Sequence, residues 1–322
     1  MSTPEPRARV FVLDEVHPAA MDRLSARAEV FGPDRAGDWE AQADAVIVRN
    51  SRIDAAAIER AARLRVIGKH GVGTDNIDVD AARAGGIAVL TTPGANAEPV
   101  ADLAVGYALA LLRNIAGHTA ALRAGRPLRG DARVGLDLAE VPAGIVGLGA
   151  VGSRVAHRLV HGFGARVAAV DPAIADADWP REVARSATLE ELLDQSSLIF
   201  LHVPLDGTTR HMIDRARLAL MPQGSYLVNC ARGGIVDEAA LAEALASGQL
   251  AGAASDVFEL EPPAPDHPLL QIEGFLATPH IGASTHRGLQ QVGITIADKV
   301  LGYLAGPDAA SDHAATQRRE AR

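Results

Sequence analysis

The residues that are best suited to bind a cofactor or to carry out catalysis follow one another along the second half of this chain. The glycine motif Gly147–Gly152 can hold a pyrophosphate, and Asp171 can accept hydrogen bonds from a ribose. Later in the chain, Arg232 can bind a carboxylate, while Glu261 and His280 can move a proton. Each group alone is weak evidence. Together they indicate a site that binds a dinucleotide and a small acid.

The glycine motif follows a predicted strand and opens a predicted helix, Val151–Val160. Gly147 permits a tight turn, Gly149 lets the backbone approach the pyrophosphate, and Gly152 permits close packing of helix on strand. A strand–turn–helix without a ligand could carry the same glycines. Asp171 strengthens the functional interpretation because it ends the next predicted strand, nineteen residues after Gly152.

Asp171 also bears on which dinucleotide is bound. A carboxylate at this position accepts hydrogen bonds from ribose hydroxyls and would repel a 2′-phosphate. The residues that follow it, Pro172–Ala175, include no arginine that could hold such a phosphate. The sequence therefore predicts NAD rather than NADP.

Arg232 lies in the segment Asn229–Gly234, directly after a predicted strand. Ligands of open α/β sheets bind outside the carboxyl ends of the strands, where a guanidinium can hold a carboxylate through two parallel hydrogen bonds. The glycines after Arg232 would let the chain turn close to that ligand. The alternative is an ordinary surface arginine.

A histidine and a glutamate complete the predicted chemistry. His280 in Thr278–Gly282 and Glu261 in Asp256–Pro263 both follow predicted strands. A reaction that moves a hydride at carbon must also move a proton at oxygen, and histidine suits that transfer near neutral pH. A neighbouring carboxylate would favour the imidazolium and orient the ring. Glu259 competes for this role, but the proline pair after Glu261 favours Glu261.

The elements that must position these residues alternate between short β-rich runs and helical segments, which predicts parallel sheets covered by helices. Buried strands are predicted at Val10–Leu13, Ala45–Val48, Val66–Gly68, Ala88–Leu90, Gly144–Gly147, Val167–Asp171, Leu198–Val203, Tyr226–Asn229, Ala253–Val257 and Phe275–Ala277. Long helices are predicted near Pro99–Ile115 and Ser284–Leu304. The first is apolar on nearly all sides, which suits a subunit interface or a helix covered within one chain.

Composition limits the possible classes of protein. The 322 residues are too many for one ordinary domain, and 48% are hydrophobic, enough for sizeable cores. The net charge of −9 argues against a nucleic-acid surface.

No apolar run reaches the roughly 18 residues that span a bilayer, so no membrane association is expected. The N-terminus does not have the pattern of a signal peptide, and the single cysteine, Cys230, fits a reducing compartment, so we expect a cytoplasmic protein. No Cys/His spacing indicates a metal site.

Motifs spread over most of residues 45–304 resemble the D-isomer-specific 2-hydroxyacid dehydrogenases, a family that includes phosphoglycerate, glyoxylate/hydroxypyruvate and D-lactate dehydrogenases. The matching segments are Gly71–Asp78, Gly147–Gly152 with Asp171, Asn229–Asp237, Asp256–Pro263 and Thr278–Thr285. The resemblance implies an arginine–glutamate–histidine triad, which falls on Arg232, Glu261 and His280.

The resemblance also implies the architecture. It predicts two Rossmann- or flavodoxin-like doubly wound parallel-sheet α/β domains with a cleft between them. A discontinuous substrate-binding domain would comprise residues 1–98 and 284–322, and a central NAD-binding domain would comprise residues 99–283. The tail from about residue 307 is expected to be disordered, and the protein is expected to be a homodimer built on the cofactor domains.

Further site residues follow from the resemblance. The predicted cofactor-binding residues are Gly147, Gly149, Ala150, Val151, Gly152, Asp171, His202, Val203, Pro204, Cys230, Ala231, Asp256 and Val100. The predicted substrate-binding residues are Val72 and Gly73 by this resemblance. Lys69 and Arg49 are added because each follows a predicted strand and could place a positive charge near the substrate; Lys69 could equally be a solvated lysine at the end of its strand. Among these, Cys230 is interpreted as a small buried residue rather than a nucleophile, and Asp256 resembles a position that holds the nicotinamide carboxamide. The backbone amides of Val72 and Gly73 would hold a substrate carboxylate.

The implied activity is NAD-dependent interconversion of a D-2-hydroxy acid and its 2-oxo acid, with His280 and Glu261 moving the proton and Arg232 holding the carboxylate. Candidate substrates are 3-phosphoglycerate, glycerate and other substituted 2-hydroxy acids, and an anionic tail is favoured if Lys69 and Arg49 contact it. Two alternatives stay open: an NADH-responsive corepressor-like binding protein, and an NAD-dependent hydrolase with a tightly held cofactor.

Overall fold

The structure is a computed structural model that describes residues 7–306; the tail predicted to be disordered from about residue 307 lies outside them. Contacts divide the chain into two compact units. Unit 1 takes in the chain up to Asn96 and again from Ser284, and unit 2 runs from Ala97 to Ala283. The first break falls two residues before the predicted boundary after residue 98, and the second falls at the predicted boundary.

Unit 1 is built on a five-stranded parallel sheet of order β2-β1-β3-β4-β5. Its elements are β1 Arg9–Val12, α1 Pro18–Ser25, β2 Glu29–Phe31, α2 Trp39–Gln42, β3 Ala45–Val48, α3 Ala55–Arg60, β4 Val66–Lys69, α4 Val79–Ala84 and β5 Ala88–Leu90, joined later by α11 His286–Leu304.

Helices cover both faces of the unit 1 sheet. Alternate side chains of its strands point to opposite faces, and because both sets are apolar, each face must be buried. Val10 and Val12 pack in one core with residues of α1 and α11, whereas Phe11 packs in a second core with residues of α3 and α4. Gly68 on β4 makes room for α11, since a Cβ there would lie 2.6 Å from Val300 Cγ2.

Unit 2 is built on a seven-stranded parallel sheet of order β12-β11-β10-β9-β6-β7-β8. Its elements are α5 Ala97–Leu112, α6 Ile115–Arg123, β6 Ala143–Val146, α7 Ala150–His157, β7 Val167–Val170, β8 Ala184–Arg185, α8 Leu189–Gln195, β9 Leu198–Leu201, α9 Arg215–Leu218, β10 Ser225–Asn229, α10 Glu238–Ala246, β11 Leu250–Ser255 and β12 Phe275–Ala277.

The strand order of unit 2 reverses at β6. From β6 the chain adds β7 and β8 on one side and then returns to add β9 and the later strands on the other. The crevice for a ligand in an open parallel sheet lies at such a reversal, outside the carboxyl ends of the strands. The glycine motif follows β6, and Asp171 follows β7, so both stand at that edge.

The predicted fold class of two parallel-sheet α/β domains is confirmed, and the differences concern element ends and edges. The sequence interpretation missed β2 and β8, which have only three and two residues at the edges of their sheets. The helix predicted from Ser284 begins at His286, because the Thr285 side chain caps it by accepting a hydrogen bond from Gly288 N. The helix predicted at Val151–Val160 passes into a π-helical turn over 158–162.

Helix α5 resolves one ambiguity of the sequence. Most of its buried residues, among them Ala101, Ala104 and Ala108, belong to the core of unit 2. Its apolar character is therefore explained by packing within the chain.

Within residues 7–306 no single helix is long and apolar enough to cross a bilayer. The pair α5 and α6 reaches that length and composition only when taken together, and it is bent by 58°.

Candidate active site

The glycine loop after β6 has the shape that a pyrophosphate requires. Gly147 has φ +88°, and a Cβ there would lie 2.7 Å from the carbonyl oxygen of His202. Gly152 lies against the loop, since its Cβ would come within 2.0 Å of Gly147 O. Larger residues would therefore push α7 away from β6 and β9.

The first turn of α7 is open to a ligand. Gly149 precedes the helix, no side chain caps it, and a Cβ at Gly149 would meet nothing within 4 Å. Gly149 and Ala150 are exposed, whereas Val151 is half-buried. Because the first N–H groups of a helix have no intrahelical partners, this turn can bind an anion. The loop fits the pyrophosphate of NAD.

Asp171 is oriented by the backbone beside this loop. Its Oδ2 accepts a hydrogen bond from Leu148 N at 2.8 Å, and its Oδ1 accepts one from Ala173 N at 2.9 Å. Each carboxylate oxygen has a second acceptor position. The half-buried carboxylate can therefore also accept hydrogen bonds from ribose hydroxyls.

Several other predicted cofactor residues lie at the carboxyl ends of the neighbouring strands. His202, Val203 and Pro204 follow β9, and Cys230 and Ala231 follow β10. The Nε2 atom of His202 is inaccessible and has no hydrogen-bond partner within the described chain; burial lowers the pKa of this imidazole to about 4. Burial also raises the pKa of the Cys230 thiol well above its ordinary value, so it is a poor nucleophile.

Asp256 has a structural task that sequence reasoning did not anticipate. Its buried carboxylate accepts hydrogen bonds from Thr278 Oγ1, from Ile281 N at 2.7 Å and from Gly282 N at 2.7 Å. These bonds shape the turn that presents His280, whose φ is +54°. Contact of Asp256 with the nicotinamide carboxamide stays a prediction.

Val100 adjoins the same turn. It is buried on α5, and its Cγ2 would lie 3.3 Å from a Cβ at Gly282. A side chain at Gly282 would also lie 2.9 Å from Asp256 Oδ2. The glycine therefore lets the turn pack against both α5 and the carboxylate that orients it.

The structure pairs His280 with Glu261. The Nδ1 atom of His280 lies 2.7 Å from Oε2 of Glu261, and the Oε1 atom of Glu261 accepts a hydrogen bond from Phe258 N at 3.1 Å. Desolvation acts to raise the pKa of Glu261, but the hydrogen bond and charge of His280, the Phe258 amide and the charge of Arg232 together lower it. The carboxylate is thus ionised and orients the ring through Nδ1.

Arg232 approaches the same pair from β10. Asn229 holds its loop, donating from Nδ2 to Arg232 O at 2.9 Å and accepting from Ala231 N at 3.0 Å. The Arg232 side chain donates to Ala231 O at 2.6 Å. Arg232 is near enough for its charge to lower the pKa of Glu261.

At Gly233 the backbone of the Arg232 loop packs directly against the Glu261 loop. A Cβ at Gly233 would lie 2.0 Å from the carbonyl carbon of Phe258 and 2.4 Å from Glu259 N. The two loops therefore meet backbone to backbone. Sequence reasoning noted that this glycine permits a turn, but it did not identify the close approach.

Two of the predicted substrate residues, Lys69 and Arg49, lie in one polar cluster of unit 1. Lys69 Nζ donates to Arg49 O at 2.5 Å and to Asn76 Oδ1 at 2.6 Å, and Arg49 Nη2 donates to Ser284 Oγ at 2.9 Å. The Lys69 ammonium is thus engaged by two oxygens of its own unit. A role for Lys69 in holding a substrate anion stays a prediction.

The remaining residues of the unit 1 loop differ in accessibility. Val72 is 45% exposed and Gly73 is half-buried, while Gly71, with φ +142°, turns the chain before them. His70 is buried, its Nε2 atom has no hydrogen-bond partner within the described chain, and burial lowers its pKa to about 4. His70 is therefore a buried imidazole whose neutral form is favoured, and its contact with a substrate stays untested.

Asp14 organises the Arg49 loop, and sequence reasoning missed it. Its carboxylate accepts hydrogen bonds from the backbone N–H groups of Arg49, Asn50 and Ser51 and from Ser51 Oγ. Desolvation acts to raise the pKa of Asp14, but these hydrogen bonds outweigh it and lower the pKa. The available signal was its position just after β1, at the same edge as the other strand-end residues.

Comparison with known proteins agrees with this geometry. Residues 105–282 match the model of the D-isomer specific 2-hydroxyacid dehydrogenase, NAD binding domain. A hydroxypyruvate reductase of Thermotoga maritima is 42% identical over 82% of this chain and 85% of its own length. A D-3-phosphoglycerate dehydrogenase of Methanocaldococcus jannaschii is also 42% identical over 82% of this chain, which spans only 50% of that relative.

A solved structure agrees as well. The D-lactate dehydrogenase of Aquifex aeolicus, crystallised with NAD and lactic acid, superposes with a TM-score of 0.82 at 26% identity, over 92% of this chain and 96% of its own. The matched family domain coincides with unit 2, where the glycine loop, Asp171 and the paired His280 and Glu261 lie. The chain therefore belongs to the D-isomer specific 2-hydroxyacid dehydrogenase family and carries its NAD-binding domain.

Proposed function

We propose that the protein is an NAD-dependent dehydrogenase that interconverts a D-2-hydroxy acid and its 2-oxo acid. The observation that carries this proposal is the 2.7 Å contact between His280 Nδ1 and Glu261 Oε2, within reach of the Arg232 charge. This acid–base pair belongs to the same unit as the loop that fits NAD. When bound, this cofactor would supply a hydride as NADH or accept one as NAD⁺.

The roles of the three residues follow from their chemistry. Arg232 holds the substrate carboxylate through its guanidinium and fixes the orientation of the adjacent carbonyl. In reduction, the imidazolium of His280 donates a proton from Nε2 to the carbonyl oxygen, and in oxidation the neutral ring takes it back. Glu261 stays ionised, fixes the ring through Nδ1 and stabilises the imidazolium.

The substrate is proposed as a substituted 2-hydroxy acid of the 3-phosphoglycerate or glycerate type. The positive charge of Arg49 favours a substrate with an anionic or polar tail. Its guanidinium is held by Ser284, and Asp14 orders the loop that carries it. The names of the relatives are consistent with this class, since they include D-3-phosphoglycerate dehydrogenases and a hydroxypyruvate reductase.

The activity is tested by measuring NADH oxidation with glyoxylate, pyruvate, hydroxypyruvate, phosphohydroxypyruvate and sulfopyruvate. Turnover with at least one acid is expected, and a preference for the anionic tails would support the Arg49 assignment. Tight NADH binding without turnover on any acid would contradict the proposal and favour a corepressor-like binding protein. Activity without net consumption of NADH would favour a hydrolase.

The preference for NAD is tested at Asp171. Replacement by Ala removes the acceptor of the ribose hydrogen bonds and the charge that repels a 2′-phosphate, so kcat/KM with NADH should fall about tenfold or more and the preference over NADPH should narrow. Asp176→Ala is a matched control, because Asp176 is an exposed acid further along the same connection. A wild-type enzyme that is faster with NADPH would overturn the assignment.

We also propose that the protein is a cytoplasmic homodimer joined through unit 2. Four apolar side chains between residues 115 and 136 are exposed: Ile115, Leu122, Val134 and Leu136. Such a concentration of exposed apolar groups suits a subunit interface. The molar mass measured by light scattering after size exclusion should be twice the 33.5 kDa mass of the chain. The Leu122→Glu variant should have a lower molar mass, closer to that of the monomer. Leu220→Glu, at another exposed leucine of unit 2, should leave it unchanged; a monomeric wild type would contradict the proposal.

A further inference from the structure

A second histidine–glutamate pair lies beside the one that holds His280. The Nε2 atom of His211 is 2.7 Å from Oε1 of Glu259, and only Leu260 separates Glu259 from Glu261. His211 has φ +49° and His280 has φ +54°. This left-handed conformation is uncommon for a residue with a side chain, although histidine adopts it more readily than most, and backbone hydrogen bonds hold both histidines in place. Both of these histidines pair with a glutamate of one short loop.

His211 is attached through its backbone to the loop of Arg232. Its N–H donates to Gly234 O at 2.8 Å, and Gly234 lies two residues after Arg232. Two residues further along, Ile213 N donates to Ile235 O at 3.1 Å. The segment that carries His211 therefore runs along the chain that leaves Arg232.

Glu259 is part of the loop that carries Glu261, and the backbone of that loop is also held by α10. The N–H of Glu259 donates to Glu238 Oε1 at 2.8 Å, and Glu238 Oε2 lies 3.0 Å from His267 Nε2. His211 and Glu259 together thus connect the loop that presents Arg232 to the loop that presents Glu261. Their side chains are 42% and 36% exposed, and exposed pairs contribute little to the stability of a fold. Loss of this pair should therefore affect the two loops that it joins and leave the stability of the whole fold nearly unchanged.

We propose that the His211–Glu259 pair is a positioning device that holds the Glu261 loop against the Arg232 loop. Neither residue takes part in proton transfer. The pair keeps Glu261 at hydrogen-bond distance from His280 Nδ1 while the substrate carboxylate is bound by Arg232. This inference rests on the proposed dehydrogenase function.

Two variants weaken or remove the pair from opposite ends. Glu259→Gln keeps the shape of the side chain but loses its charge, and His211→Gly loses the ring while suiting the left-handed backbone. The matched control is Glu190→Gln, because Glu190 is a half-exposed carboxylate that pairs with Arg217 at 2.8 Å. We expect kcat to fall roughly three- to tenfold in both variants and not in the control, with the Kd for NADH and the melting temperature unchanged.

A pH profile separates positioning from a general structural effect. If Glu261 is held less firmly beside His280 Nδ1, the imidazolium loses part of its stabilisation. Because reduction requires the imidazolium, the basic limb of the pH–rate profile for reduction should move to lower pH in both variants. A wild-type profile and wild-type kcat in both variants would overturn the inference. A lowered melting temperature with an unmoved pH profile would also overturn it, in favour of a structural role.

Failure of the proposed function is distinguishable from failure of this inference. Wild-type protein that reduces no 2-oxo acid would refute the proposed function. In that case hydrogen exchange on the protein without substrate decides the positioning claim. Peptides covering residues 258–263 should exchange faster in His211→Gly than in wild type, and unchanged exchange there would overturn it.

Discussion

Replacing His280 with Asn is expected to lower kcat for reduction of the 2-oxo acid by about 10²–10⁴-fold, the usual contribution of a positioned general acid. Asn tolerates the left-handed backbone that His280 adopts at φ +54°, so the turn ordered by Asp256 should persist. The amide cannot donate a proton as an imidazolium does. Turnover measured by NADH oxidation should therefore fall, while NADH affinity measured by fluorescence should stay near the wild-type value.

The control for this variant is His17→Asn in unit 1. His17 accepts a hydrogen bond from Ala19 N at the start of α1, a capping role that Asn can also fill. It should leave both turnover and NADH binding unchanged. If His280→Asn kept more than about a tenth of the wild-type kcat, general-acid catalysis by this residue would be excluded.

Replacing Gly233 with Ala is expected to impair the triad without touching any of its side chains. The added methyl group would lie 2.0 Å from the carbonyl carbon of Phe258, a backbone atom that cannot rotate away. The loops of Arg232 and Glu261 must then separate. Overpacking of this kind costs about 1–3 kcal/mol of unfolding free energy. A displacement near 1 Å between catalytic groups can lower kcat/KM by about 100-fold.

The experiment on Gly233→Ala combines a denaturant unfolding curve with kcat/KM. The control is Gly207→Ala in the same unit, because a Cβ at Gly207 would meet nothing within 4 Å. It should behave like the wild type in both measurements. A Gly233→Ala protein with wild-type kcat/KM would show that the two loops can move apart without consequence, and the assignment of a joint Arg232–Glu261–His280 site would then fail.

The strand-end residues illustrate what could be predicted without coordinates. Strands such as Leu198–Leu201 are short, apolar and fully buried, so their positions are visible in the sequence. Since all strands of a parallel sheet place their carboxyl ends at one edge, the residues after β6, β7, β10, β11 and β12 must share that edge. Gly147, Asp171 and Arg232 could therefore be selected from their order alone.

Most contacts between loops were beyond this reasoning. Glu259 and Glu261 stand two positions apart; the proline pair and the family resemblance favoured Glu261 as the partner of His280, but nothing in the sequence indicated that Glu259 meets His211. Likewise, Asp256 follows a strand as predicted, but its burial against the amides of Ile281 and Gly282 depends on how the next loop returns.

The amino-acid sequence by itself determined the two parallel-sheet units, the family, the glycine loop and the identity of the residues that can bind an anion or move a proton, because these depend on local periodicity, residue type and order. The sequence and the family resemblance already favoured Glu261 as the partner of His280, and the tertiary structure alone decided the other pairings: His211 with Glu259, and Lys69 with oxygens of its own unit. Such pairing depends on the approach of segments far apart in the chain, within tenths of an ångström, and no local pattern of residues encodes that distance.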